Sequence, residues 1–391
     1  MFFGKIRVAF IIIFSLSTAS CKKDIKSTDL PSELINTNSF IKEIIEEINS
    51  NYASEIDRKK LEIGAINGML SVLDEHSIYI KQEDILAFSQ FARGNYLGIG
   101  IEFQSIGDSF EITSIIDDSP AQKAGLKIKD KIIAIDGNET KNMSIGDVVS
   151  NITSFRHIVK FSILRDQSET IDVSIKKNII KLKSIKLTFI DNIALLKINY
   201  FNENTLTEVL DAIKKINTKQ SSGLILDLRN NPGGIIDQAI GVADLFLANK
   251  KIVEIKSKNS DESRVAFSDG NDLFVGKQIV VLTNDQTASG AELLASALGE
   301  NKRAIILGTR TFGKGSLQSI IPIPGRGAIK LTTAILLSPN GNLISKNGIT
   351  PDIEIQTNKT ESSDNDISII QRAIDLIHGL SVVGSARKSN D

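Results

Sequence analysis

The chain has 391 residues, of which 41% are hydrophobic and 24% charged, and this composition is typical of a globular protein with two or three domains. Its net charge of −1 and its lack of tryptophan give no reason to expect nucleic acid as a partner. The only cysteine, Cys21, excludes an internal disulfide and a cysteine-based metal site, and we expect neither a metal nor a cofactor.

Residues 1–20 are typical of an export signal, with a basic start and a short apolar run. The run from Val8 to Leu16 is too short to span a bilayer, which needs about 20 residues. Small residues then precede Cys21, and this layout resembles a bacterial lipoprotein signal, in which the cysteine becomes the lipidated first residue. Ordinary cleavage near Ala19 is the alternative. We expect export to the periplasmic side of a bacterial membrane, a lipid anchor at Cys21 and a polar tether over residues 21–38.

Residues 39–95 are predicted to form an N-terminal helical segment. The stretch FIKEIIEEI, which begins at Phe40, spaces its isoleucines three and four residues apart. The stretch RKKLEIGAINGMLSVLD continues with a second apolar stripe that ends near Leu73. We therefore expect two helices that pack on each other, and these helices are also where a homodimer contact is expected.

Residues 96–178 change to the alternating pattern of β-strands and are predicted to form a separate domain with two short helices. The stretch LGIGIEF…ITSIIDDSPAQKAGLKIKDKIIAIDG resembles a PDZ domain. The resemblance implies that the backbone N–H groups of Leu97, Gly98, Ile99 and Gly100 capture the carboxylate of a protein C-terminus. Physically, a glycine-rich turn directs several N–H donors at one anion, and the bound peptide adds a strand to the sheet edge.

Residues 179–358 alternate strands with helices, and this pattern predicts an α/β domain with a mainly parallel sheet. The run GLILDL is apolar throughout, as expected for a strand that is buried on both faces. The same cycle of strand, turn and helix recurs in KQIVVL, ASGAELLASALGE and RAIILG. Residues 359–391 are predicted to hold one more amphipathic helix and a tail.

Ser289 lies at a strand-to-helix turn within TNDQTASGAELLAS, where a nucleophilic serine is often found. A nucleophilic serine needs a base to accept its proton, yet none of the three histidines lies near it in the sequence. Lys314 is the candidate base, because the glycines on both sides of it allow close packing. A lysine amine has a pKa of about 10.4 in water, and burial can lower that pKa until the amine is neutral near pH 7.

The segment GTRTFGKGS also lies one residue from a nucleotide-binding P-loop. Gly315 stands where a P-loop has a hydroxyl that binds Mg²⁺, and the residues that follow alternate like a strand. A P-loop must open into a helix whose N-terminus binds phosphate, so this alternative is disfavoured.

A serine peptidase also needs N–H donors for the oxyanion that forms during the reaction. Gly290 follows the candidate nucleophile where a helix begins. Gly233 and Gly234 lie in a second turn, RNNPGG, between a strand and a helix. Both turns leave free N–H groups at the carboxyl end of the predicted sheet, so these three glycines are candidate oxyanion donors.

Five segments follow one another in the order seen in the C-terminal processing proteases of peptidase family S41, also called tail-specific proteases. The segments are INGMLSVLDEHSIYI, LILDLRNNPGG, TNDQTASGAELLASAL, GTRTFGKGSLQ and AIKLTTAILLSPNGNLISKNGITPDIEI. The chain therefore resembles this family over nearly its whole length after the signal. The resemblance implies a ClpP/crotonase-like α/β core with an inserted PDZ domain. It also implies that Ser289 is the nucleophile, Lys314 the general base and Gln318 the residue that orients the lysine.

The resemblance implies a serine endopeptidase that cleaves exported proteins near their C-termini. The PDZ domain would bind unstructured C-terminal tails and deliver them to the Ser–Lys dyad. The alternative is a non-catalytic lipoprotein adaptor that only binds such tails.

Overall fold

The computed structural model describes residues 32–107, 109–141, 143–153, 156–166, 169–344, 347–355 and 362–388. The predicted export signal, the lipidation site Cys21 and the first part of the predicted tether lie outside the described residues. Among the described residues, none of the helices combines the length and apolar character that crossing a membrane would require.

The elements follow one another along the chain in three groups. The first group is α1 Ser32–Asn51, α2 Arg58–Ser71, β1 Ile78–Ile80 and α3 Ile85–Ala92. The second group is β2 Asn95–Gly98, β3 Ile101–Ile106, β4 Ser109–Ile115, α4 Pro120–Lys123, β5 Lys131–Ile135, β6 Asn138–Glu139, α5 Ile145–Thr153, β7 Ile158–Arg165, β8 Glu169–Lys176 and β9 Asn178–Lys181. The third group is β10 Ile185–Ile190, β11 Ile193–Ile198, α6 Thr205–Thr218, β12 Gly223–Asp227, α7 Ile236–Asp244, β13 Lys251–Ser257, β14 Arg264–Phe267, β15 Gln278–Thr283, α8 Gly290–Glu300, β16 Ile305–Gly308, β17 Ser316–Ile323, β18 Gly327–Leu337, β19 Ile353–Glu354 and α9 Ser362–Lys388.

The chain divides into two compact units. Among the described residues, the first unit comprises Leu86–Ser316 and the chain from Ala334 onward. The second unit comprises residues 32–85 together with Leu317–Thr333.

The core of the first unit is a six-stranded sheet in the order β10-β11-β12-β15-β16-β19. Strands β11 to β19 of this sheet are parallel, and only β10 is antiparallel to its neighbour. The predicted mainly parallel sheet is therefore confirmed. Every residue of β12 is buried, as its apolar sequence predicted. Because β12 and β15 are parallel neighbours, the turns that follow their carboxyl ends lie side by side, and this is where a site is expected in such a sheet.

Helix α9 completes the core on one side of this sheet. Its apolar residues Ile369, Ala373 and Ile377 are buried in one cluster with strand residues such as Ile225 and Val280. The amphipathic helix that the sequence predicted near the C-terminus is thus part of the α/β core. Strands β13 and β14 form a separate antiparallel pair in the first unit, and β13 also pairs with residues 334–337 of β18.

The second group of elements folds around an antiparallel sheet in the order β3-β4-β5-β7-β8, with β6 paired to β5. Its core consists of buried aliphatic and phenylalanine side chains from the strands and from α5. Helix α4 begins as predicted, because the Ser119 hydroxyl accepts the N–H of Gln122 at 3.2 Å and Pro120 occupies the first turn. Strands β2 and β9, at the two ends of this group, pair with each other as an antiparallel ribbon.

The second unit contains α1, α2, β1 and a hairpin. Strand β1 pairs antiparallel with residues 328–330 of β18, and β17 pairs with β18 as well. Helix α1 begins at Ser32, inside the stretch predicted as a tether, because the polar composition before Phe40 concealed the start of the helix. The strands β1, β13 and β14 were not predicted from the sequence, whereas α3 lies within residues 39–95, which were predicted as helical without a separate third helix.

Candidate active site

Ser289 lies between the parallel strand β15 and helix α8, at the strand-to-helix turn that the sequence predicted. Its backbone has φ 53° and ψ −117°, a combination that a non-glycine residue rarely adopts. Ser289 is fully buried, and its Oγ makes no hydrogen bond to the described residues although it lies at the N-cap position of α8. Leaving a buried hydroxyl without a partner costs about 1–3 kcal/mol, so strain and an unused hydroxyl coincide at this residue.

The turn from Asn230 to Gly234 follows β12 and packs directly against this serine. A Cβ atom added at Gly233 would lie 2.8 Å from the Cβ of Ser289, and one at Gly234 would collide with the carbonyl of Phe201. The φ angles of Gly233 and Gly234 are 97° and 143°, which side chains disfavour. Only glycine therefore allows the backbone of this turn to approach the serine so closely.

Hydrogen bonds hold the turn that leads into Ser289 and the turn from Asn230 to Gly234 together. Ala288 donates its N–H to the carbonyl of Asn231 at 2.9 Å. Asn284 accepts the N–H of Asn230 at 2.9 Å and returns a side-chain hydrogen bond, also of 2.9 Å, to the Asn230 carboxamide. The position of Ser289 relative to the turn from Asn230 to Gly234 is thus set by hydrogen bonds of its chain neighbours Ala288 and Asn284.

The three candidate oxyanion donors differ in how their N–H groups are used. The N–H of Gly233 donates to the side-chain oxygen of Asn231 at 2.8 Å. Among the described residues, the N–H groups of Gly234 and Gly290 have no acceptor. A Cβ added at Gly290 would lie 3.7 Å from the nitrogen of Gly234, so these two donors are close to each other. The geometry favours Gly234 and Gly290 as the pair available to an oxyanion.

Lys314 lies in the segment between β16 and β17, and only 7% of its surface is exposed. Its backbone N–H donates to Oε2 of Glu292 at 2.8 Å. The backbone N–H of Ser289 donates to the same oxygen, also at 2.8 Å. One carboxylate oxygen of Glu292 therefore bridges the backbone N–H groups of the predicted nucleophile and the predicted base, which keeps the two backbones close together.

Glu292 was not identified from the sequence, yet it connects both predicted residues. Its carboxylate is fully buried, and Oε1 accepts the hydroxyl of Thr311 and, at 2.7 Å, the N–H of Gly313. Burial raises the pKa of Glu292, while hydrogen bonds from Thr311, Gly313, Lys314 and Ser289 act in the opposite direction. A sequence signal existed, because Ser289 and Glu292 have the spacing of a helix capping box, and the Glu292 half of that box is made.

A buried ion pair at the end of β12 was also missed. Arg229 donates from Nε and Nη2 to the two carboxylate oxygens of Asp227, at 2.9 Å and 2.8 Å. Both side chains are buried at the start of the glycine turn. The pair is suited to stabilise the turn, and nothing in the local sequence pattern distinguished these two charges from surface charges.

Gln318, the third predicted catalytic residue, belongs to the second unit, whereas Ser289 and Lys314 belong to the first. Its side chain is fully buried, and Nε2 donates to Oγ1 of Thr332, in the same unit, at 3.1 Å.

A second candidate site is an apolar groove between β3 and α5, with a volume of about 130 Å³. Of the four residues predicted to bind a carboxylate, Ile99 and Gly100 line it, whereas Leu97 and Gly98 lie in β2 and pair with β9. The other lining residues are Tyr96, Ile101, Phe103, Val149, Ile152 and Thr153. Burial, with a contribution from Glu102, raises the pKa of Tyr96 to about 12, so the phenol is neutral at physiological pH.

No group of acidic, histidine or cysteine side chains in the described part of the chain has the arrangement needed to hold a metal ion. The first site contains the buried hydroxyl of Ser289, the buried residue Lys314 and the N–H groups of Gly234 and Gly290.

The chain resembles known proteins over most of its length. Residues 192–355 match the model of peptidase family S41, and residues 88–164 match that of the PDZ domain. The chain is 37% identical over 324 residues to the carboxy-terminal-processing protease of Bartonella bacilliformis, covering 80% of this chain and 74% of that protein. It is 36% identical over 315 residues to the carboxy-terminal processing protease CtpA of Bacillus subtilis, covering 80% and 67%. The solved photosystem II D1 C-terminal processing protease aligns with a TM-score of 0.52 and 25% identity, over 88% of this chain and 97% of that one.

The fold and these relatives define a serine-type peptidase, a hydrolase, with a PDZ domain in its chain. The chain belongs to peptidase family S41, among the carboxy-terminal processing proteases. The family and the α/β fold with an inserted PDZ domain, both predicted from the sequence, are confirmed.

Proposed function

We propose that this peptidase uses a Ser289–Lys314 dyad to cleave proteins near their C-termini. The observation that carries the proposal is the single carboxylate oxygen of Glu292, which binds the backbone N–H groups of both residues. A nucleophilic serine needs a base within hydrogen-bond reach, and this shared acceptor holds the two backbones close together.

The proposed reaction begins when the Oγ of Ser289 attacks a peptide carbonyl and its proton passes to the amine of Lys314. The amine then returns the proton to the leaving nitrogen, and water hydrolyses the acyl-enzyme. Burial of Lys314 supports this role, because a water-poor environment favours the neutral amine. Gln318, shortly after the lysine in the sequence, is proposed to orient the amine.

The oxyanion of the tetrahedral intermediate is proposed to accept hydrogen bonds from Gly234 and Gly290. Loss of one such donor typically lowers the rate by about 10²–10³. Gly233 contributes to the turn, since its own N–H is bound by Asn231.

The groove between β3 and α5 is proposed to bind the C-terminus of an unstructured tail. Its apolar lining is suited to a nonpolar last side chain, and the backbone at Ile99 and Gly100 would face the terminal carboxylate. We propose further that residues 1–20 direct export, that a lipid at Cys21 anchors the protein to a bacterial membrane, and that α1 and α2 contribute to a homodimer. Mass spectrometry of the N-terminal peptide would detect the lipid, and its absence would rule out the anchor.

The test of the dyad uses a soluble protein substrate with an unstructured, nonpolar C-terminal tail, and mass spectrometry of the products. Ser289→Ala and Lys314→Ala are each expected to lower cleavage by about a thousandfold or more. Ser296→Ala is the matched control, because Ser296 is another buried serine of α8 and donates only to the carbonyl of Leu293. A fluorophosphonate probe should label the wild type and Ser296→Ala but not Ser289→Ala.

Full cleavage by the two dyad variants would refute the proposed mechanism. A wild-type protein that binds the tail without cutting it would instead support a role as an adaptor.

A further inference from the structure

The backbone of Phe201, shortly after β11, binds the chain on both sides of Gly234. Phe201 donates its N–H to the carbonyl of Gly233 at 2.9 Å, and its own carbonyl accepts the N–H of Ile235 at 2.9 Å. Phe201 and Gly234 therefore pair as a parallel β-bridge within the first unit. A Cβ added at Gly234 would lie 2.1 Å from the carbonyl oxygen of Phe201, so only glycine permits this close approach.

These two hydrogen bonds determine the direction of the Gly234 N–H. A peptide unit is planar and trans, so its C=O and its N–H point in opposite directions. The carbonyl of Gly233 points to Phe201, and the N–H of Gly234 belongs to the same peptide unit, so this N–H points away from Phe201. In the next peptide unit the N–H of Ile235 points to Phe201, which fixes the other side of Gly234 in the same way.

The N–H of Gly234 is thereby held in place although it has nothing to bind. Gly234 is buried, and its N–H meets no acceptor among the described residues. A buried N–H without a partner is unfavourable, and rotation of its peptide unit could relieve it. The hydrogen bond from Phe201 to the Gly233 carbonyl opposes that rotation. The donor is therefore kept ready for an acceptor that a substrate would bring.

Helix α3 supports the same arrangement from the side of Ile235. The side chain of Ile235 is buried in a small cluster with Ala92 of α3, and Phe88 of the same helix packs against that cluster. The carbonyl of Ala92 also accepts the N–H of Glu203 at 3.1 Å. Helix α3 thus contacts both chain segments that form the bridge, and it limits the movement of either one.

The ring of Phe201 contacts the second proposed oxyanion donor, Gly290. A Cβ added at Gly290 would lie 3.6 Å from Cδ2 of Phe201 and 3.7 Å from the nitrogen of Gly234. Only 2% of Phe201 is exposed, so its ring is confined in a packed core beside Gly290. One residue therefore contacts both donors, Gly234 through its backbone and Gly290 through its ring.

We propose that Phe201 is a positioning residue for the peptidase reaction, because it holds the N–H of Gly234 unpaired and packs beside Gly290. This inference rests on the proposed role of these two glycines as oxyanion donors. Donors that are fixed in place need no reorganisation when negative charge develops on the substrate oxygen. A turn that could rotate would therefore slow the chemical step more than it would weaken substrate binding.

The backbone contact can be removed without changing the side chain. Phenyllactic acid in place of Phe201, introduced by nonsense suppression, keeps the ring but replaces the N–H with an ester oxygen, so the carbonyl of Gly233 loses its donor. The matched control is phenyllactic acid in place of Phe246, another buried phenylalanine of the first unit, whose N–H donates to the carbonyl of Ala243 at 3.1 Å. Both variants lose one backbone hydrogen bond by the same chemical change.

A second pair of variants tests the ring. Phe201→Leu and Phe246→Leu each replace a buried aromatic side chain, and the ring of Phe246 packs edge-on against that of Phe274. Both should lower the free energy of unfolding, because each leaves a buried ring position incompletely filled. Only Phe201→Leu changes the packing beside Gly290.

We expect the ester at Phe201 to lower kcat about tenfold, with KM within about twofold of the wild type, since removal of a whole donor costs about 10²–10³ and a displaced donor keeps part of its effect. Phe201→Leu should lower kcat about fivefold in the same manner. Both variants at Phe246 should stay within about twofold of the wild type. Urea unfolding identifies any variant that fails to fold, and the other pair then decides.

A peptide aldehyde provides a readout that a purely structural role would not change. The serine Oγ adds to the aldehyde carbon, and the oxygen of the tetrahedral adduct occupies the position of the oxyanion. The aldehyde should bind more weakly to both variants at Phe201, by about the factor that is lost from kcat. The corresponding peptide alcohol, which cannot form the adduct, should bind to all variants equally.

An ester at Phe201 that folds and keeps the kcat of the ester at Phe246 would overturn the inference, as would equal losses of kcat from the two leucine variants. Equal losses of affinity for the aldehyde and the alcohol would also overturn it, because the effect would then lie in binding. Cleavage by Ser289→Ala would instead refute the proposed function. Crystal structures of the two ester variants test the inference even then, because the direction of the Gly233 carbonyl is visible without catalysis. An unchanged Gly233 carbonyl in the ester at Phe201 would refute the positioning role.

Discussion

Replacing Glu292 with glutamine should separate the stability of this protein from its activity. The carboxylate accepts three backbone N–H groups and the Thr311 hydroxyl, two donors at each oxygen. A glutamine NH₂ group must face one of these pairs. The Thr311 hydroxyl can turn to accept from it, so we expect the NH₂ group to face Thr311 and Gly313, and the N–H of Gly313 and the proton of the Thr311 hydroxyl then lose their present acceptor.

The magnitude follows from these contacts. An unsatisfied buried N–H group costs about 1–3 kcal/mol. The hydrogen bonds from Ser289 and Lys314 change from charge-assisted to neutral, which loses about 1 kcal/mol each. Against this, burial raises the pKa of Glu292, so the ionised carboxylate is itself disfavoured in the folded protein and glutamine removes that cost. We therefore expect the free energy of unfolding to change by less than the sum of the lost hydrogen bonds.

Activity has no such compensation. The two weakened hydrogen bonds are those from the backbones of the serine and the lysine, and about 2 kcal/mol of lost positioning corresponds to about thirtyfold in kcat/KM. The assay combines hydrolysis of a fluorogenic peptide with a nonpolar C-terminus and urea unfolding monitored by circular dichroism. Glu300→Gln is the control, because Glu300 lies at the other end of α8 and accepts from Asn340 and Asn342. A folded Glu292→Gln variant with kcat/KM within threefold of the wild type would refute the reasoning.

Three further predictions concern the surroundings of the site. Gly234→Ala forces a side chain into a collision with the backbone of Phe201 at φ 143° and should abolish cleavage. Gly68→Ala lies in open space on α2 and should instead raise the free energy of unfolding by about 0.5–1 kcal/mol. Cleavage assays and urea unfolding measure the two effects. Val149→Asp puts a carboxylate in the apolar groove and should raise KM at least about tenfold for a long tail, without changing turnover of a short peptide; an equal change for both substrates would contradict tail binding there. Asp227→Asn removes the bidentate partner of Arg229 and should lower the free energy of unfolding by about 3–5 kcal/mol, and a loss below 1 kcal/mol would show that the pair is not structurally important.

The sequence predicted the elements of the α/β core because its patterns are local. The apolar composition of a run such as GLILDL predicts that it is a buried strand, and β12 is indeed buried throughout. The position of Ser289 at a strand-to-helix turn was predicted in the same way. Strands such as β13 and β14 were missed because their residues alternate less regularly between exposed and buried faces.

The partners of the candidate site residues could not be predicted, because they come from distant parts of the chain. Glu292 fits a capping box in the sequence. Its hydrogen bonds from Thr311 and Gly313, however, depend on tertiary packing, which brings the loop that contains these two residues back to α8. The N–H of Gly233 is a different case, because its acceptor, the side chain of Asn231, lies only two residues earlier in the sequence and was overlooked there.

The sequence by itself determined which residue types stand at which turns, and hence the class of fold, the glycines of the tight turns and the candidate serine and lysine. Only the tertiary structure decided which polar groups meet, as where Thr332 donates to a residue 255 positions away. The physical reason is that backbone conformation and burial periodicity are encoded by neighbours in the chain. A hydrogen bond instead requires two groups to lie within about 3 Å, and that is settled only by how the strands and helices pack.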